Sequence, residues 1–326
     1  MRETAKEKIR YYAGAFLLPA AILALAYALD GIVPFGEKTL FDGDLRTQYV
    51  SFYAYLHELL HGNVSPLYTF SKVVGGNMVD VLTYYLCSPC NLLFYFFSAD
   101  ALPLAVSLLS FLKVGLIGLS MGWYLKRAAD RKKREAVPAS QKETGMSFSE
   151  IASCQIFSCA YALSGYVVAY QFEHMWMDGV ALLPVVLAGV EAFYEEREHA
   201  GTAYGGRRRK NWLYILSLAF SLLTNYYIGC MLCITAVLYF VAGSLFFFPK
   251  AKCPAYFSWL DFFISSLLAG ALSAAVFLPT VYALKTSKLN YVGFGHLLEL
   301  HVRFPLWKLP FRLLPFTFTA DQLSSE

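Results

Sequence analysis

Two carboxylates, Asp42 and Asp44, lie two residues apart in a polar segment after the first long apolar run. In an extended loop, residues two apart point the same way, so both carboxylates would face one site. Such a pair can bind a divalent cation through oxygen, or one member can act as a general base. Gly43 between them permits close approach of the backbone. The alternative interpretation is an ordinary solvated acidic turn.

A second polar group lies in a short predicted turn between two apolar runs. The functional hypothesis makes this group the second wall of a polar pocket that faces the loop carboxylates. The alternative is a set of interface residues, since Trp is typical of the aromatic belt of membrane proteins. The group contains Glu173, His174, Trp176 and Asp178.

Lys113 lies near the middle of an apolar run. A charge inside a membrane is costly and indicates a function by default. Lys113 could hold a lipid phosphate or pair with a carboxylate. A structural partner such as Asp261 or Glu191 is the equally weighted alternative.

Asn225 and Tyr226 interrupt the long apolar run over residues 212–248. As one helix this run would be roughly 55 Å long, beyond a bilayer core of about 30 Å. The pattern therefore predicts a helical hairpin with a short first arm. Polar residues at such a break line a cavity in the functional interpretation, and form a hairpin turn in the alternative.

The composition defines the elements that must position these residues. The chain has 326 residues, of which 57% are hydrophobic and 15% charged, against roughly 25% charged in typical soluble domains. This balance excludes a soluble enzyme, a nucleic-acid-binding protein and a disordered chain. Continuous apolar runs also disfavour a barrel, whose strands alternate. The composition predicts an all-α polytopic membrane protein.

About seven membrane spans follow from the apolar runs, at residues 11–29, 102–125, 151–172, 177–194, both arms of 212–248, and 259–284. Lys and Arg cluster before the first span and in residues 126–150 and 195–210. By the positive-inside rule the N-terminus is cytoplasmic and the loop over residues 30–99 is extracytoplasmic. In that loop, residues 46–61 predict an amphipathic helix for the membrane interface, and residues 81–97 a re-entrant or interfacial pair of short helices.

Several motifs, taken in order along the chain, resemble the YfhO family of bacterial membrane proteins. No single motif is specific to this family. The order of the motifs over nearly the whole chain is what makes the resemblance specific. The motifs are FDGD (41–44), QY (48–49), LYTFS (67–71), GGNM (75–78), YYLCSP (84–89), LK (112–113), AYALSG (160–165), MWMD (175–178) and NYYIG (225–229).

The resemblance implies a fold and a reaction. The YfhO family is similar to the GT-C glycosyltransferases, helical membrane enzymes with a catalytic carboxylate in the first extracytoplasmic loop. Asp42 or Asp44 would be that carboxylate. The donor would be an undecaprenyl-phosphate sugar and the acceptor a cell-wall polymer such as teichoic acid. Asp42 and Asp44 are also candidate ligands of a divalent cation, and no other cofactor is expected.

Substrate-binding candidates complete this hypothesis. Arg46 and Lys113 are candidates for the phosphate, and the other candidates are Gln48, Tyr49, His174, Trp176, Asp178, Asn225 and Tyr226. The chain would lie in the bacterial cytoplasmic membrane. A GT-C-like transmembrane module over residues 1–284 would precede the start of a further region at residues 285–326, because family members are usually longer. The alternatives are a transporter or flippase of lipid-linked precursors and a non-catalytic protein of envelope assembly.

Overall fold

Long apolar helices make up most of the chain in a computed structural model, which describes residues 4–72, 75–136, 145–199, 211–247 and 255–287. Six helical segments of the described residues are long and apolar enough to cross a membrane. The prediction of an all-α polytopic membrane protein is therefore confirmed. The six segments are Ala5–Asp30, Ala99–Lys133, Phe148–Tyr170, His174–Tyr194, Tyr226–Phe246 and Trp259–Tyr282.

The α-helices are numbered along the chain. They are α1 (Ala5–Asp30), α2 (Val50–Leu60), α3 (Val79–Val81), α4 (Leu102–Ala136), α5 (Phe148–Ala162), α6 (Gly165–Tyr170), α7 (His174–His199), α8 (Trp212–Thr224), α9 (Tyr226–Ala242) and α10 (Ala255–Ser287). A two-residue hairpin pairs β1 (Tyr68–Thr69) with β2 (Gly76–Asn77) in antiparallel register.

The predicted break in the apolar run over residues 212–248 lies at Asn225. Helix α8 ends at Thr224 after 13 residues, so it is only roughly 20 Å long. Asn225 has an extended backbone, and its side-chain oxygen accepts the amide of Ile228 to cap α9. This residue ends one helix and begins the next because an Asn cap satisfies an amide that has no partner within the helix. The short first arm is thus confirmed.

About half of the described residues of the first loop, residues 31–98, are helical. A π-helical turn, Leu45–Tyr49, leads into α2, so the predicted helix over residues 46–61 is present. Its placement differs from the prediction, because Tyr49, Tyr53 and Leu56 are buried against the protein. The Tyr53 ring stacks on Phe94 with ring centroids 4.3 Å apart. Protein contacts, rather than lipid, therefore cover this aromatic face.

The second half of the first loop forms the predicted pair of short helices. A π-helical turn, Leu82–Leu86, is followed by a 3₁₀-helix, Pro89–Phe96. Ser88 separates them in an extended conformation, as expected before proline. Together with α2, these turns lie over one end of α4.

Helix α4 is central, and it packs against α1, α5 and α7. Small residues permit the close contact with α1, because a side chain at Gly118 would collide with the carbonyl of Ala15. A second core forms where α7, α8, α9 and α10 meet around Tyr214 and Phe240. Of the predicted terminal region over residues 285–326, residues 288–326 lie outside the described residues.

Candidate functional site

The two carboxylates of the first loop have different partners. The chain turns at Gly43, which has φ of +50°, and Asp42 accepts the amide of Gly43 at 2.8 Å. Asp44 instead accepts a hydrogen bond from the side chain of Gln48 at 3.1 Å. The expectation of an extended loop here is therefore wrong, since a left-handed glycine reverses the chain and a helical turn follows.

Asp44 meets a second carboxylate, Glu173, across the hydroxyl of Tyr49. The hydroxyl donates to Glu173 at 2.6 Å and lies 3.5 Å from Asp44. Asp44 is exposed, whereas Tyr49 and Glu173 are buried. The first loop and the residue that precedes α7 thus meet at Tyr49, in what we call the acidic site, and the predicted polar pocket between them stays a prediction.

The surroundings of Glu173 favour its neutral form. Burial raises the pKa of Glu173 above its ordinary value, and the charge of Asp44 acts in the same direction. The hydrogen bond from Tyr49 opposes both effects. A carboxyl group with a raised pKa beside an exposed carboxylate is an arrangement that acid–base chemistry can use.

Lys113 forms a buried ion pair beneath this acidic site. Its Nζ donates to Asp178 at 2.9 Å, to Ser88 at 3.1 Å and to the carbonyl of His174 at 2.8 Å. Only 2% of Lys113 is exposed. Of the alternatives weighed for this residue, the structure has the pairing with a carboxylate, although neither Asp261 nor Glu191 is the partner. A lipid phosphate would have to displace Asp178.

His174 joins the first loop to α4 and α7. One ring nitrogen lies 3.3 Å from the hydroxyl of Tyr53, and the other lies 2.8 Å from the hydroxyl of Ser110. The ring is buried and both nitrogens have protein partners. His174 therefore positions the wall of the site, and its predicted contact with substrate would require a rearrangement.

The α8–α9 turn is fastened to the first loop through Asn225. Its side-chain nitrogen donates to the carbonyl of Tyr84 at 2.8 Å while its oxygen caps α9. Asn225 is 1% exposed. The indole nitrogen of Trp176 donates to the Tyr84 hydroxyl at 3.3 Å, and the ring of Tyr226 packs edge-on against Tyr84. Asn225 thus supports the predicted cavity wall and does not line it.

Arg46 and Gln48 are exposed on the helical turn that follows Asp44. Within the described part of the chain no ion pair involves Arg46, so its guanidinium is available to an anion. Their predicted roles in substrate binding stay predictions, as does the catalytic role of Asp42.

An apolar cavity of about 590 Å³ borders the Lys113–Asp178 pair. Side chains of α1, α4, α7 and α8 form its walls, and Pro89 and Cys90 of the first loop cover one end. Among the described residues that line it, Asp178 alone is charged. The others are Tyr12, Leu116, Leu119, Ser120, Trp123, Ala181, Leu182, Val185 and Phe220.

Two carboxylates at this site could bind a divalent cation, but they do not form a complete set of ligands. Asp44 and Glu173 supply the oxygen donors that Mg²⁺ and Ca²⁺ prefer. No cluster of three or more His, Cys, Asp or Glu that could hold a metal occurs among residues with described positions. The cation site predicted at Asp42 and Asp44 stays a prediction, and Glu173 is the better-placed partner of Asp44.

Sequence reasoning assigned no individual role to several residues of this site. They are Tyr53, Tyr84, Tyr85, Ser88 and Ser110, together with Glu173, which was recognised only as part of the polar turn. A lone serine or tyrosine carries little signal in a chain with 17% aromatic residues. Glu173 alone had a usable signal, because it is an acidic residue at the end of an apolar run.

These features define a polytopic α-helical membrane protein with an acidic and aromatic site beneath its first long loop. The sequence model of the family described as "Bacterial membrane protein YfhO" matches residues 15–325, so the chain belongs to that family. The resemblance read from the motifs is confirmed. No curated protein and no solved structure matches the chain.

Proposed function

We propose that this protein transfers a monosaccharide from a polyprenyl-phosphate carrier to a cell-envelope polymer, such as teichoic acid, outside the cytoplasmic membrane. The observation that carries the proposal is the meeting of Asp44 and Glu173 at the hydroxyl of Tyr49. In this proposal the helices form a GT-C-like bundle, the N-terminus is cytoplasmic, and the first loop is extracytoplasmic.

The chemical step needs a proton acceptor at the sugar. A hydroxyl of the acceptor polymer attacks the anomeric carbon, forms the new C–O bond and breaks the bond to the carrier phosphate. The leaving group is polyprenyl phosphate, and the acceptor proton passes to a carboxylate. Exposed Asp44 is the general base in this scheme, and Glu173 holds its surroundings through Tyr49.

The apolar cavity suits the chain of a lipid carrier. Most of its walls belong to candidate membrane-spanning helices, and most of the side chains that line it are apolar. An isoprenoid chain bound there would place its headgroup close to the first loop. The cavity thus supports a substrate that is part lipid and part polar.

The charge of the phosphate needs a partner. Lys113 is neutralised by Asp178, so Arg46 or a divalent cation beside Asp44 and Glu173 is the better candidate. A bound cation would supply Lewis-acid stabilisation of the leaving phosphate. The residues for such an ion are the two carboxylates and the Tyr49 oxygen between them.

The pairing of the buried ions favours catalysis over transport. A proton-coupled transporter needs ionisable groups within its spans that can change charge. Lys113 is paired with Asp178, and Glu191 with Arg131. A purely structural role in envelope assembly would assign no task to the contact of Asp44 and Glu173 at the Tyr49 hydroxyl.

The test compares two neighbouring substitutions in reconstituted vesicles. The substrates are radiolabelled undecaprenyl-phosphate glucose or N-acetylglucosamine with purified teichoic acid as the acceptor. Asp44→Asn should lower the transfer rate by roughly 10²–10⁴-fold, the contribution of a general base. Asp42→Asn is the matched control and should have the smaller effect, because its carboxylate accepts only its own loop amide among the described residues. Full transfer by both variants and by the double variant would overturn the proposal.

A further inference from the structure

Five aromatic side chains from three parts of the chain meet beside the acidic site. Tyr84 and Tyr85 come from the first loop, Trp176 from the start of α7, and Tyr226 and Tyr227 from the start of α9. We call this set the aromatic cleft. Tyr84 is central, with its ring centroid 4.5 Å from Tyr85, 5.5 Å from Tyr226 and 6.4 Å from Tyr227.

The aromatic cleft is partly exposed. Four of its side chains are half-buried, and Tyr227 is 45% exposed. Here the indole of Trp176 lies 6.3 Å from the ring of Tyr227, and Trp176 donates to the hydroxyl of Tyr84. The rings therefore form one connected surface.

Asn225 fixes the shape of the cleft. It bonds the backbone of Tyr84 and caps the helix that carries Tyr226 and Tyr227. Two walls of the cleft thus share one buried anchor. Such an anchor reduces the entropy that a ligand would lose by ordering the rings.

The cleft continues into the acidic site. The ring of Tyr85 lies 5.2 Å from the ring of Tyr49, whose hydroxyl donates to Glu173. A ligand bound on the rings would therefore have its edge close to the carboxylates. The arrangement offers an apolar face with negative π-electron density, bordered by hydrogen-bond acceptors.

A pyranose ring matches both features. One face of the sugar carries C–H groups with slight positive charge, which pack on an aromatic face, and its rim carries hydroxyl donors for carboxylates. We infer that the aromatic cleft is the subsite for an uncharged hexose of the donor, with Tyr227 and Trp176 as determinants of sugar binding. This inference rests on the proposed function and adds the place and the class of the sugar.

The expectation of an uncharged sugar follows from the charges around the aromatic cleft. Aromatic faces also attract cations, and a cationic ligand would gain further from unpaired acids beside the rings. Asp80 of the first loop is instead paired with Lys72 at 3.0 Å, and Glu173 accepts a hydrogen bond from Tyr49. An uncharged, hydroxyl-rich ligand is therefore favoured over a cationic one.

The experiment separates binding of the sugar from binding of the lipid. The Kd values of undecaprenyl-phosphate glucose and of undecaprenyl phosphate are measured on the protein in nanodiscs. Tyr227→Ala should weaken binding of the glucose-bearing lipid about tenfold, equivalent to about 1.4 kcal/mol, and leave binding of the bare lipid unchanged. Tyr227→Phe keeps the ring and should bind the glucose-bearing lipid as the parent protein does.

A matched control exists in the same loop. Tyr95 is 46% exposed and stacks on His61, outside the cleft, so Tyr95→Ala should change neither Kd. Equal weakening of both lipids by Tyr227→Ala, or no weakening, would overturn the subsite. Transfer activity with an unchanged Kd in Tyr227→Ala would refute the subsite and leave the proposed function intact. Tighter binding of a glucosamine-bearing lipid than of the glucose-bearing one would refute the uncharged class.

Discussion

Two buried glutamates, one beside the start of α7 and one in its second half, have opposite surroundings. Glu173 immediately precedes the helix and Glu191 lies 18 residues further on, which corresponds to roughly 27 Å along the axis. Both are almost fully buried, with 6% and 3% of their surfaces exposed. Burial alone therefore does not distinguish their roles.

Their hydrogen-bond partners do distinguish them. Glu191 accepts from Tyr124 at 2.6 Å, Tyr239 at 2.8 Å and Arg131 at 2.8 Å. This carboxylate is neutralised and joins α4, α7 and α9. A buried charge with such a set of donors is typical of a structural site.

Glu173 lacks this compensation. Within the described residues its carboxylate receives one hydrogen bond, from Tyr49, and the nearest charge in that contact is a second carboxylate, Asp44. A buried acid beside a like charge costs folding free energy, and such groups concentrate at functional sites. The comparison assigns chemistry to the Glu173 end of α7 and stability to the Glu191 end.

The largest expected effect is on activity at the Glu173 end. Glu173→Gln should lower the transfer rate by about 10²-fold, at the lower end of acid–base contributions, because Asp44 remains as the base. The free energy of unfolding should not fall. The pKa of Glu173 is raised, so its ionised form is disfavoured in the folded protein at neutral pH, and a neutral amide removes that cost.

Radiolabel transfer and thermal melting in detergent measure the two quantities on the same preparation. A large loss of stability with an unchanged rate per folded molecule would contradict the assignment. It would show that Glu173, like Glu191, serves the fold.

The next effect is on stability at the Glu191 end. Glu191→Gln should lower the free energy of unfolding by about 2 kcal/mol, below the 3–5 kcal/mol of a fully buried pair, because 25% of the Arg131 side chain is exposed. The transfer rate per folded molecule should stay within about twofold. Glu191 is separated from the acidic site by several helical turns of about 5.4 Å each.

The paired substitution sharpens this result. Arg131→Gln combined with Glu191→Gln should lose less stability than the sum of the single substitutions, because each single substitution already removes the same ion pair. Additive losses would contradict a direct ion pair between these residues.

Six of the about seven predicted spans correspond to described helices long and apolar enough to cross a membrane, because membrane insertion depends on local composition. The remaining one, the first arm of residues 212–248, is the shorter apolar helix α8. The apolar run over residues 212–248 is too long for one span, so the sequence alone predicts a break at Asn225. The partner of Lys113 was beyond such reasoning. Asp178 lies 65 positions further along the chain, and only the packing of α4 against α7 brings the two side chains together.

The acidic site was predicted in part for the same reason. Both of its walls are readable as polar residues at the ends of apolar runs. The relation between Asp42 and Asp44 was wrong because one positive φ at Gly43 changes which way a side chain points. In the structure Asp44 contacts Glu173 through the hydroxyl of Tyr49. The spacing of these residues along the chain does not predict this contact.

The smallest expected effect, and the most direct test of the geometry, is a pair of opposite shifts in the pKa of Glu173. Asp44→Asn removes a negative charge that raises this pKa, so the pKa should fall. Tyr49→Phe removes a hydrogen bond that stabilises the carboxylate, so the pKa should rise.

The carboxyl band in infrared difference spectra, assigned by its loss in Glu173→Gln, reports the titration without any substrate. Shifts in the same direction would mean that Tyr49 does not lie between the two acids. Opposite shifts would indicate that both carboxylates interact with the Tyr49 hydroxyl. Glu191 instead accepts hydrogen bonds from three donors.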